Sequence, residues 1–174
     1  MNRARVFECL SALGARHGPR ERGKLCQKLL AIAFRMAGCA NITERGVQGV
    51  DVDACQANGE KYTIEVKTTE ADSVPIGKKD VLGLQQRARQ DGYLPVLAVL
   101  RVALFSEWYL AKATSLKSGL VLIDSLRPQR LRELELVIQP EFDKAICEHI
   151  EGALDNSQAY LDAVLRAYDI FVEE

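Results

Sequence analysis

The sequence is short of everything that would make it secreted, fibrous or membrane-spanning. Cysteine occurs only at Cys9, Cys26, Cys39, Cys55 and Cys147, an odd number with no pair at C-x-x-C spacing. That speaks against a disulfide framework or a zinc knuckle and predicts a reducing compartment. Histidine occurs twice, and neither His17 nor His149 has a partner at metal-ligand spacing. No apolar run approaches the roughly 18 residues of a membrane span. The opening MNRARVFECLSALGARHG lacks the apolar core and cleavage site of a signal peptide, so the expected location is cytoplasmic. Charge of one sign is missing too: 23 Lys+Arg face 24 Asp+Glu, a net −1. The molecule as a whole therefore has no field that draws in nucleic acid or an anionic membrane.

What is present is a gradient hidden in that sum. Residues 1–50 carry nine basic and three acidic side chains, whereas residues 133–174 carry two and eleven. The expected organisation is a slightly basic core over 1–132 and an acidic strand/helical extension over 133–174, packed on the same domain or on a partner subunit. With 174 residues and 48% of them hydrophobic, the chain is long enough to bury its own core.

Apolar periodicity places helices through Val6, Leu10 and Leu13 and through Leu25, Leu29, Ile32 and Met36, parted by the breaker around Gly18-Pro19. From Val50 the period becomes two. Val50 and Val52 alternate with Asp51 and Asp53, and after Ala57-Asn58-Gly59 the residues Ile64 and Val66 alternate with Glu65 and Lys67, which predicts a β-hairpin. A loop with Pro75 and Gly77 leads to a helix over Asp80 to Asp91, then a buried strand over Leu94 to Leu100 and another strand over Phe105 to Ala111. Residues 113–138 have no clear period. The end reads as helix twice, through Phe142, Ile146 and Ile150 and through Leu161, Val164, Leu165 and Tyr168. The expected fold is α/β, a central mixed sheet flanked by helices with helices again at the C-terminus.

The hairpin carries the chemistry. A two-residue Asn58-Gly59 turn would set Asp51 opposite Val66 and send the acids to opposite faces. A three-residue loop, Ala57-Asn58-Gly59 with Gly59 left-handed, instead pairs Gln56 with Glu60 and sets Asp51 opposite Glu65. Shifting the loop by one residue would select Asp53, so Asp53 competes for the same role. Two carboxylates facing each other repel unless a cation lies between them, and oxygen ligands suit Mg²⁺ or Mn²⁺. Such an ion activates water and offsets charge on a phosphodiester, and Lys67, two residues from Glu65, orients the water or neutralises that charge.

The helix Arg22-Gly23-Lys24-Leu25-Cys26-Gln27-Lys28-Leu29-Leu30, the segment Gly49-Val50-Asp51-Val52, the run Ile64-Glu65-Val66-Lys67-Thr68-Thr69 and the stretch Leu84-Gln85-Gln86 to Val99 together resemble the PD-(D/E)XK nuclease superfamily. Within it the similarity is to the small Holliday-junction resolvase-like and Mrr-like endonucleases, over residues 20–111. The resemblance implies a restriction-endonuclease-like core, Asp51 and Glu65 as metal ligands with the Val66 backbone carbonyl, catalytic Lys67, and a DNA-cleaving homodimer. Related enzymes often place a further Glu on the first core helix. Here Gln27 has the spacing and Glu21 the charge, and either completes the site. Candidate DNA contacts are Arg20, Arg22 and Lys24 at the front, and Lys78, Lys79, Gln85 and Arg87 around the later helix. The competing expectation is a nucleic-acid-binding or assembly module that kept the fold and lost catalysis, and an RNA substrate is a third.

Overall fold

The computed structural model describes residues 3–46 and 50–173; Gly49, the first residue of the Gly49-Val50-Asp51-Val52 segment, lies outside them. Two helices, α1 (Arg3–His17) and α2 (Pro19–Met36), are separated at Gly18. Then come β1 (Ala40–Arg45), β2 (Val52–Cys55), β3 (Lys61–Thr69), β4 (Ser73–Ile76), α3 (Lys78–Asp91), β5 (Leu94–Arg101), β6 (Trp108–Lys112) and β7 (Gly119–Leu122). A 3₁₀ segment, Ile123–Gln129, leads into the long helix α4 (Arg132–Ala167), and β8 (Phe171–Glu173) ends the described chain.

Six strands form one mixed sheet in the order β6-β5-β3-β2-β1-β8, with β3–β5 and β1–β8 parallel and the other neighbours antiparallel. Strands β4 and β7 make a separate two-stranded ribbon. The expected α/β architecture is therefore present. One face of the sheet, including Val52, Ile64, Val66, Val96 and Ala98, packs under α1, α2 and α4; the other, including Leu97 and Val99, packs with Leu84 of α3 and Val74 and Ile76 of β4. Among the described residues no helix is long and apolar enough to cross a membrane.

Two expectations change. Pro75 lies in a strand rather than a loop, on the exposed side of β4. The strand expected from Phe105 starts only at Trp108, because residues 103–106 close a turn instead. The C-terminal extension packs on the same domain, one of its two expected placements: Phe142, Ile146, Ile150, Leu161 and Leu165 are buried in the same core as Leu10, Leu25 and Leu29. The two expected helices are real but are joined through a break at Ser157 (φ 50°, ψ −134°), and the first begins at Arg132, within the stretch without a clear period.

Helix α4 also closes a sheet edge. The Gln139 side-chain carbonyl accepts the Trp108 amide (2.7 Å) and Glu135 Oε1 accepts the Leu110 amide (2.9 Å), while the Leu131 amide donates to the Leu110 carbonyl (2.7 Å). An edge strand whose outward groups are satisfied in this way cannot recruit another strand.

Candidate active site

The hairpin loop sets the site. The Gln56 amide donates to the Glu60 carbonyl (2.8 Å), the Gly59 amide donates to the Gln56 carbonyl (3.0 Å), and Gly59 has φ 90°, where a side chain would be strained. The pairs Cys55↔Lys61, Asp53↔Thr63 and Val52↔Ile64 follow, and one more step brings Asp51 alongside Glu65. This is the three-residue register. The Asp51 amide donates to the Ile64 carbonyl (3.0 Å), and the Asp51 carboxylate accepts the Val66 amide (2.6 Å).

Glu65 and Lys67 project from β3 on the side of α3, with Lys67 Nζ 2.6 Å from Glu65 Oε1 and 2.9 Å from Asp80 Oδ2. The second Glu65 oxygen, Oε2, is buried without a hydrogen-bond partner. Burial pushes the Glu65 carboxyl up to about 8, helped by the nearby Asp51 charge and opposed by Lys67. Burial likewise raises Asp51 to about 6, against the Val66 amide and Lys67. Burial disfavours the Lys67 ammonium, yet Glu65 and Asp80 outweigh it and hold the lysine above its ordinary range.

These groups line a cleft of about 430 Å³ that also takes in Arg20, Lys24 and Gln27 of α2, and Asp80 of α3. Gly23 lets α2 come this close, since a Cβ there would lie 3.2 Å from Thr68 Oγ1. Gln27 donates its amide to Glu44 Oε1 (2.6 Å) and to the Arg45 carbonyl (2.8 Å), which leaves its side-chain carbonyl for the cleft. Glu44 is fixed in turn by the buried Lys28 ammonium (2.9 Å). Glu21 faces elsewhere: it accepts hydrogen bonds from Ser157 and from Gln158 (3.0 Å) of α4, and it does not line the cleft. Gln27, not Glu21, lines the cleft with the carboxylate pair.

Asp53 is no competitor. It is buried, with one oxygen, Oδ2, shared by Arg45 Nη1 (2.8 Å), Arg87 Nε (3.0 Å) and Arg87 Nη2 (2.7 Å). Arg87 also pairs with Asp91 and stacks 4.8 Å over the Tyr93 ring, so its guanidinium clamps α3 to the sheet rather than waiting for phosphate. Arg22 is likewise displaced from the expected DNA-contacting set, because it is buried beneath α1 against Gly14 and paired with Glu70 (2.9 Å). Arg20, Lys24, Lys78 and Lys79 are exposed and Gln85 is half-buried. Of these five, Arg20 and Lys24 line the cleft.

Two acids of the cleft, Glu44 and Asp80, escaped the sequence, as did Arg45 and Gln158. Glu44 sits in a strand with almost no apolar alternation, and nothing in its neighbourhood marks it. Asp80 had a signal: it stands three residues after Gly77 at the start of a helical run and accepts the Gly77 amide (3.0 Å), as an N-terminal capping residue does.

Among the described residues no group of three or more His, Cys, Asp or Glu side chains is arranged to hold a metal ion. The donors that do converge are all oxygens: two carboxylates raised by burial, Glu65 also by the Asp51 charge and Asp51 by Asp80 and Glu44, one of them with an unpartnered buried oxygen. That set fits one hard divalent cation with the Val66 carbonyl and the Gln27 carbonyl as neutral supplements. No known family profile matches the chain.

Proposed function

We propose that the chain is a Mg²⁺- or Mn²⁺-dependent DNA endonuclease of the PD-(D/E)XK type, built on a restriction-endonuclease-like core. One observation supports it above the others: half-buried Asp51 and buried Glu65, brought together by the hairpin register, are two carboxylates whose one nearby cation is Lys67 at their edge. A fold does not keep two repelling acids at the floor of an open cleft for stability.

In this reading Asp51 and Glu65 hold the cation, which when bound supplies Lewis acidity toward the phosphodiester. Lys67 Nζ donates hydrogen bonds to the charge that develops on the non-bridging phosphoryl oxygens, and Asp80 keeps it in place when Glu65 turns to the cation. Arg20 and Lys24 on the α2 wall meet flanking phosphates. Gln27 in place of a carboxylate leaves two acids among the cation's ligands, which suits an ion that also takes substrate oxygens. Resolvase-like and restriction- or repair-like substrates share this chemistry.

The test is cleavage of labelled four-way junction, linear duplex and RNA substrates with and without Mg²⁺ or Mn²⁺. Divalent-dependent DNA cleavage is expected, reduced at least about 10³-fold in Asp51→Asn and Lys67→Ala, or roughly 4 kcal/mol of barrier, with the melting temperature of Asp51→Asn unchanged or raised. DNA binding without hydrolysis in either ion would favour the inactive binding module. Cleavage that survives both substitutions would overturn the residue assignment.

A further inference from the structure

A chain of polar side chains runs from the C-terminal half of α4, through the buried side of α2, to the cleft. Lys28 Nζ lies between Asp162 Oδ1 (2.7 Å) and Glu44 Oε2 (2.9 Å), and Gln27 Nε2 donates to Glu44 Oε1 (2.6 Å). Lys28 is 4% exposed and Glu44 1%, so this ion pair is closed off from solvent, while Gln27 lines the cleft. Beyond the break at Ser157 the end of α4 lies against α2: Ser157 and Gln158 hold Glu21, and one turn further on Asp162 reaches Lys28.

The Gln27 amide has one orientation open to it. Its two hydrogens go to Glu44 Oε1 and to the Arg45 carbonyl (2.8 Å), a carboxylate and a carbonyl that both accept, so the nitrogen lies on that side and the oxygen on the other. A Glu at position 27 would set a carboxylate oxygen against the same two acceptors with no donor between them. Residues 27 and 44 are therefore matched: the amide on α2 needs the acid on β1, and the acid on β1 disfavours a second acid on α2. A buried ion pair such as Lys28–Glu44 brings little net stability over an apolar pair of the same shape. What it does fix is the direction in which the Gln27 side chain points.

We infer that Glu44 is a positioning residue for the cation of the cleft: it presents Gln27 as a neutral carbonyl ligand and supplies, from β1, the acid that α2 lacks. Lys28 holds Glu44 in turn and Asp162 holds Lys28, so the acidic end of α4 shapes the site through α2. A partner that orients a metal ligand by a hydrogen bond is worth roughly 10–100-fold in metal affinity. This role rests on Asp51 and Glu65 holding the ion, as proposed above.

Mn²⁺ binding to the full chain without substrate, followed by electron paramagnetic resonance of the free ion, tests it. Glu44→Gln puts one amide where Gln27 and Lys28 both need an acceptor, and should weaken Mn²⁺ binding roughly tenfold or more. Gln27→Glu should bind Mn²⁺ no more tightly than wild type in spite of its added charge. The double variant, Gln27→Glu with Glu44→Gln, again sets a donor against an acceptor and should bind Mn²⁺ more tightly than either single variant. Two substitutions that only loosened the fold would instead add their losses, and thermal melts of the four proteins show whether they do. Should Glu44→Gln fail to fold, the step from Gln27→Glu to the double variant decides alone. Wild-type affinity in Glu44→Gln, tighter binding in Gln27→Glu, or a double variant no tighter than the singles overturns the proposal and leaves the cation site standing. A wild-type chain that binds no Mn²⁺ overturns the cation site itself and this role with it.

Discussion

Asp51 and Asp53 stand two residues apart in one short segment, and the chain treats them in opposite ways. Asp53 receives three guanidinium contacts from Arg45 and Arg87 and is closed off from solvent. Asp51 receives one backbone amide, opens to the cleft, and is set against a second acid. An acid that is locked by two arginines is an architectural joint, here holding α3 and β1 to β2. An acid held near another without an arginine is poised for a cation from outside. Sequence type and spacing do not separate them; what does is which arginines the rest of the fold delivers.

The comparison can be broken from either side. The largest effect falls on the joint. Asp53→Ala leaves two arginines around an emptied buried site and should cost about 3–5 kcal/mol of stability, measured by urea unfolding. Asp51→Ala in the same assay should cost little or raise stability. Equal losses would erase the distinction.

A smaller effect follows from burial of the acid pair. Glu65 and Asp51 are raised to about 8 and about 6, whereas in the unfolded chain carboxyls titrate near about 4. Between these values the folded state binds more protons than the unfolded one, so stability falls as pH rises from about 4 to about 8. Glu65→Gln should therefore raise the melting temperature at pH 8 by roughly 2–4 °C, change it little at pH 5, and flatten the wild-type decline. A wild-type melting temperature that climbs across that window would contradict the electrostatics of the cleft.

The remaining effect, on rate rather than on stability, concerns Asp80. Asp80→Asn keeps an oxygen for the Gly77 amide and loses the charge beside Lys67. It should lower kcat about tenfold, close to 1.4 kcal/mol, leave KM unchanged, and have no further effect in a Lys67→Ala background. A loss that persists without the lysine would mean that Asp80 acts only on the helix.

Much of this was legible because local chemistry and fold agreed. Gly59 in the last loop position specified the hairpin register, and the helical spacing of α1, α2 and α3 survived intact. The failures share a cause: polar residues turned inward to meet partners distant in the chain. Strand β1 has Ile42 as its one strongly apolar residue and buries Glu44 only because Lys28 lies against it. The first turns of α4 hid behind Glu135 and Gln139, which point inward to cap β6, and behind Pro140, whose helix position leaves the carbonyl of exposed Leu136 to solvent. Arg22 and Arg87 read as surface cations because their partners, Glu70 and Asp53, lie 48 and 34 residues away. Strand β8 is three residues long and has no pattern to read.

The central claim is that the hairpin brings Asp51 and Glu65 together to hold a divalent cation. Anomalous diffraction from crystals of the chain soaked in Mn²⁺ addresses it without any substrate. The account predicts a single peak bridging the Asp51 and Glu65 carboxylates near the Val66 carbonyl, with Lys67 drawn toward Asp80, and no peak at Asp53. Crystals with Lys67 still bridging Glu65 and Asp80 and no manganese at Asp51 would contradict it.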